Sequence, residues 1–251
     1  MNKTASHFIL VFIFIFSFTT CNRYSDEELY SNAISNSVSV SESEIKNLVT
    51  LTKNDKNVIW NDDEKVLLMT FHRFPESYKA GSEITIKWES WLVSPLEFIN
   101  RYEYFSKNTT DWTLRIKQIL GMPEESKNTH ITFLWCSSKD CYRPAYSTDA
   151  TKNEMSLTLK KDLPEEYKTW FETNEKNSYK YDEEKSIWEG YPWTRLGYTY
   201  DWKYTKKTYG LSEFMLKKEA VVKVESTKTI PEFIDWAKKQ AKIKGERSFH
   251  Y

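Results

Sequence analysis

Residues 82–91 read SEITIKWESW, in which Ile84, Ile86 and Trp88 alternate with Glu83, Thr85, Lys87 and Glu89. A period of two puts successive side chains on opposite faces of a strand, so this run has one apolar and one wet face. Strands with a wet face belong to antiparallel sheets, whereas parallel strands are buried on both sides. Further strands are expected at KVLLMTFHRF (Lys65–Phe74), HITFLW (130–135), MSLTLK (155–160), LSEFML (211–216) and AVVKVE (220–225). Helices fall between them. Trp112, Ile116, Ile119 and Leu120 have helical spacing, with Thr110 or Asp111 as cap and Gly121 and Pro123 as the stop. Pro164 opens a second helix with the stripe Tyr167, Trp170 and Phe171, and Pro231 opens a third with Phe233, Trp236, Ala237 and Ala241 on one face. This order predicts an α+β fold, a mostly antiparallel sheet with several packed helices, in a single domain over residues 58–251.

The N-terminus has a different character. From Phe8 to Phe18 every residue except Ser17 is apolar. That run is too short for a bilayer, which needs about 20 residues. Lys3 precedes it and small polar residues follow, the order of a secretion signal over residues 1–20. Phe18-Thr19-Thr20-Cys21 resembles the lipobox of bacterial lipoproteins, although that pattern prefers Leu where Phe18 stands and Gly or Ala where Thr20 stands. The resemblance implies cleavage before Cys21, a lipid on its sulfur, and a protein anchored in the bacterial envelope, periplasmic or surface-exposed. An ordinary cleaved signal and an uncleaved anchor are the alternatives. Residues 21–57 include the Ser/Asn/Glu-rich stretch YSNAISNSVSVSESE and read as a disordered tether between lipid and domain.

Composition bounds the partners. The chain carries 36 basic and 36 acidic residues, which gives no global footing for nucleic acid. All ten Trp lie from Trp60 onward and mark the folded part. Apart from Cys21 there are two cysteines, Cys136 and Cys141, in LWCSSKDCYRP. In an oxidising compartment they are expected to form a local disulfide. Half of a metal site is the competing reading, but the second Cys/His pair that structural zinc needs is missing, so neither metal nor cofactor is implied.

The segment YPWTRLGYTYDW (191–202), followed by KYTKKTYGLSEFML, stands apart. Together with QILGMPEES and FLWCSSKDCYRPAYSTD it resembles a family of secreted or lipid-anchored bacterial proteins that share a Pro-aromatic-Thr-x-Leu-Gly-Tyr-Thr-Tyr-Asp-Trp core. The likeness covers roughly residues 85–230 and implies a compartment but no mechanism; Lys203 stands where that pattern has a glycine. Chemically, Trp193, Arg195, Tyr198, Tyr200, Asp201 and Trp202 offer flat rings, one guanidinium and one carboxylate, suited to a small molecule, a glycan or a protein ligand. The structural reading of the same residues is a turn between strands, with Arg195 and Asp201 paired to each other. Glu213 shares a strand face with Leu211 and Met215, either at an exposed edge or against an apolar surface that would raise its proton affinity. His72 is the candidate general base by residue type, though a lone His on a strand is commonly structural. Two functions follow: a non-catalytic ligand- or protein-binding lipoprotein, or an exported, lipid-anchored hydrolase or transferase using Arg195, Asp201 and Glu213 with His72.

Overall fold

Strand β1 (Lys65–His72) runs through the middle of the sheet and sets its plan. In the computed structural model residues 24–248 are described, with side chains to residue 244. The expected signal, residues 1–20, and Cys21 lie outside the described residues. The remaining strands are β2 (Glu83–Thr85), β3 (Ser90–Val93), β4 (His130–Ser137), β5 (Cys141–Tyr142), β6 (Tyr179–Asp182), β7 (Ile187–Gly190), β8 (Tyr198–Tyr200), β9 (Tyr209–Leu216) and β10 (Val221–Thr229). The helices are α1 (Asp26–Ser37), α2 (Pro95–Asn100), α3 (Tyr102–Ser106), α4 (Trp112–Ile119), α5 (Glu165–Ser178) and α6 (Ile230–Ser248). The main sheet runs β2-β10-β4-β1-β3-β9-β5, with β8 also pairing β9, and every pairing is antiparallel. The α+β, mostly antiparallel architecture is therefore the one expected. β6 and β7 form a separate hairpin.

Two apolar layers flank the sheet. One collects Val66, Leu68, Leu92, Leu134, Phe214 and Val222. The other packs Leu67, Met69, Val93 and Phe133 against Phe98 of α2, Ile116 of α4 and Phe233 of α6. The caps read from the sequence are in place, since the Asp111 carboxylate accepts from Thr113 N and Leu114 N at the start of α4.

Three expectations need correction. The alternating run 82–91 is two strands, not one: β2 pairs β10 and β3 pairs β1 and β9. Ile86 still turns inward, bonded to the backbone of Ala220 and Glu219, but the chain then bends and leaves Trp88 78% exposed. MSLTLK forms no strand; Met155, Leu157 and Leu159 pack on a third apolar cluster without a strand partner beside them. The third correction moves the boundary of the folded part from residue 58 to the first described residues. Ser25 and Glu28 form a capping box for α1, and Ala33 and Ile34 of that helix are buried. Leu48, Val49 and Leu51 are buried as well. A few apolar residues at helical spacing suffice to dock a polar helix when a complementary surface waits for it.

Candidate functional site

The segment 191–202 is where the N-terminal stretch docks. Arg195 Nη2 donates to Ser37 O at 2.6 Å and Val38 O at 2.9 Å, and Nη1 meets Glu175 Oε1 at 2.5 Å. These bonds hold Arg195 buried and in a left-handed backbone conformation, φ 59°, that a non-glycine residue seldom adopts. Tyr198 Oη donates to Glu44 O, and Trp202 meets Tyr30 of α1 edge-on with ring centroids 5.4 Å apart. Asp201 forms a bidentate pair with Arg115 of α4, both bonds 2.6 Å and both residues about fully buried. Neither earlier reading of this pair holds: Arg195 and Asp201 are not bonded to each other, and neither is available to a ligand. Tyr198 and Trp202 are likewise spent on packing. Of the six ligand-binding candidates, Trp193 and Tyr200 line a cavity between β1 and β3.

That cavity, of about 470 Å³, lies in a split of the sheet. β3 pairs β9 at four positions and β1 pairs β4 at eight, but β1 meets β3 only at Met69–Val93. Beyond that pair, Thr70, Phe71 and His72 on one side and Ser90, Trp91 and Leu92 on the other all line the opening instead of bonding to each other. The C-terminal end of α5, the Tyr191–Trp193 turn and the residues after α4 enclose it further. Trp91 and Tyr191 are partly exposed, at 40% and 52%.

Glu213 of β9 stands in one row with Val93 and Met69 and lines this cavity. It is buried against an apolar surface, the second of the two placements expected for it. Burial drives its carboxyl up to about 8, and Arg143 nearby works in the opposite direction. Its Oε1 has no hydrogen-bond partner among the described residues. Arg143 does not supply one: Nη1 reaches only the Glu213 backbone carbonyl, at 3.5 Å, and Nη2 donates to Val49 O and Lys152 O.

His72 lines the same cavity but is not poised as a base. Its Nδ1 accepts from Phe74 N at 3.1 Å, so Nε2 carries the proton and donates to Thr132 Oγ1 at 2.6 Å. The chain continues from Thr132 Oγ1 to Thr227 Oγ1 and on to Tyr78 O. Burial, aided by His130, lowers His72 to about 4. A ring with both nitrogens engaged in the interior is a structural histidine.

The cysteine expectation also needs correction. Cys136 and Cys141 are free, buried thiols, donating to Leu134 O at 3.6 Å and Ser137 O at 3.5 Å. The neighbouring Cys141 and burial push the Cys136 thiol up. Among the described residues no group of three or more His, Cys, Asp or Glu is placed to hold a metal ion, and no helix is long and apolar enough to cross a membrane. Compared with known proteins, the chain matches no family model, no curated protein and no solved structure.

Tyr191 belongs to the ring-rich segment singled out in the sequence, but sequence reasoning missed Trp91 and the polar lining residues Asn128 and Asn174, since nothing local to them signals a split between two distant strands. It also missed Glu97, whose burial in PLEFIN is set by tertiary contacts.

Proposed function

We propose that this chain is a bacterial envelope lipoprotein, held at the membrane by a lipid on Cys21, whose domain is a non-catalytic binding module for a small molecule in the β1–β3 cleft. The observation that carries the binding half is the cavity itself. At about 470 Å³, ringed by Trp91, Tyr191, Trp193 and Tyr200 and holding one unpartnered carboxyl, it has the size and composition of small-molecule sites. The membrane half rests on residues 1–21, whose charge, apolar length and terminal cysteine fit a lipoprotein signal. The hydrolase or transferase alternative has less support. Of its residues Asp201 is consumed by a buried ion pair with Arg115, Arg195 by Glu175 and the Ser37 and Val38 carbonyls, and His72 by a hydrogen-bond chain, leaving Glu213 without a second catalytic group.

Two experiments on the full-length chain test the two halves. Radioactive palmitate should label the wild type and not Cys21→Ala; equal labelling or none refutes lipidation at that cysteine. Thermal-shift screening against cationic, neutral and anionic fragments should give hits that Asn174→Trp, at the rim of the cleft, removes. Hits that survive this substitution would place binding elsewhere.

A further inference from the structure

Two buried carboxyls flank β9, and comparing them indicates what the cleft takes. Glu97 is saturated: Tyr209 Oη donates to Oε1 at 2.6 Å, Ser212 N to Oε2 at 2.8 Å and Ser212 Oγ to Oε1 at 3.3 Å. Glu213 is as deeply buried, yet Oε1 has no partner and the side chain borders the cavity. Leaving a buried acceptor unpaired is costly, and proteins rarely do so without a use for it. Because Glu213 lines the cavity, a donor that enters there meets its carboxyl group. No Lys or Arg lines that cavity, and its one histidine is neutral, so an incoming anion would meet no compensating charge. A cation would meet both a carboxyl and ring faces, the combination that binds ammonium groups.

Building on the small-molecule reading above, we propose that the cleft binds an organic ammonium ion, its N–H groups donating to the Glu213 carboxylate and its carbon skeleton packed on Trp91, Tyr191 and Trp193. Binding then ionises Glu213, and the carboxyl proton leaves to solvent as the ammonium enters. His72, Tyr78, Tyr191 and Tyr200 line the cavity with Glu213, and the groups coupled to it electrostatically from neighbouring elements are Arg143 after β5, Tyr167 of α5, Tyr179 of β6 and Tyr198 of β8. Arg143 remains charged, being lowered only to about 10, and Tyr167, Tyr179 and Tyr198 are pushed up by burial, so none of these four titrates between pH 6 and 8. Affinity for the ammonium should therefore rise with pH over that interval and level off above it.

Calorimetry on the full-length protein in detergent would compare phenethylamine with 2-phenylethanol, its neutral isostere, and 3-phenylpropionate, an anion of similar shape. Phenethylamine is expected to bind at least about tenfold more tightly than the alcohol, which corresponds to about 1.4 kcal/mol. Its affinity should strengthen several-fold from pH 6 to pH 7, with close to one proton released at pH 7, seen as a buffer-dependent heat. Glu213→Gln should abolish both the preference and the release. Equal binding of amine and alcohol to the wild type, without proton release, would overturn the ammonium assignment and leave the cleft reading standing. Binding of none of the three would overturn both. The wild-type proton count decides the matter even if Glu213→Gln does not fold.

Discussion

Glu213 and His72 shift in opposite directions for the same reason: burial penalises the charged form of each. Between about pH 4.5 and 8 folded Glu213 holds a proton that the unfolded chain has released, so its contribution to stability falls as pH rises through that window. Between about 6.5 and 4 unfolded His72 takes up a proton that the folded ring refuses, so its contribution falls as pH drops. The two slopes oppose each other below pH 6.5, and Glu213 acts alone above it. Urea unfolding of the wild type should lose about 2 kcal/mol from pH 6.5 to 8 from this group, and Glu213→Gln should lose none of that amount. Parallel curves for the two proteins would show that Glu213 is ionised when folded. The Arg115–Asp201 pair predicts a different behaviour. Asp201→Asn leaves a buried guanidinium without its charge partner and should cost about 3–5 kcal/mol at all pH values near neutrality. A loss below 1 kcal/mol would contradict the buried bidentate geometry.

At the level of elements, what could be read from the sequence was what depends on near neighbours. The cap of α4 at Asp111, the proline starts of α5 and α6, and the strand runs β1, β4, β9 and β10 are set by local spacing and turn chemistry. The period-two run at 82–91 also looked local, yet β2 and β3 lie in different parts of the sheet because each found a different partner. A periodicity reports a face; it does not report where a ladder ends. The same limit hid the site. Glu213 was legible as a carboxyl on an apolar face, but the split that makes a cavity beside it depends on β3 leaving β1 after one pairing. Helix α1 was hidden for another reason: its sequence is mostly polar, and its few apolar side chains matter because β7, Leu114 and the Tyr200–Trp202 end of segment 191–202 receive it. Ile34→Ala should therefore cost about 2–5 kcal/mol, measured as a shift in urea midpoint. A spacer would tolerate the change without effect.

Across the described residues, the N-terminal segment, the aromatic core motif and the sheet are bonded and packed together. Tyr30 bonds Gly190, Arg195 bonds Ser37 and Val38, Arg143 bonds Val49, and Leu48 packs with Tyr198. Limited proteolysis of the full-length chain should therefore leave residues 24–57 attached to the domain, whereas early cleavage within that stretch would contradict their docking. The cleft is the place where two strand segments of this assembly, each paired on its other side, part from one another, and where Glu213 Oε1 has no partner among the described residues. The most direct measurement is a carbon NMR titration of the side-chain carboxyls in the glutamate-labelled protein, with Glu213 assigned by its loss in Glu213→Gln. Titration of Glu213 near pH 8, moving to lower pH when phenethylamine is added, is the predicted result. Titration near 4.5, unmoved by the amine, would contradict the account.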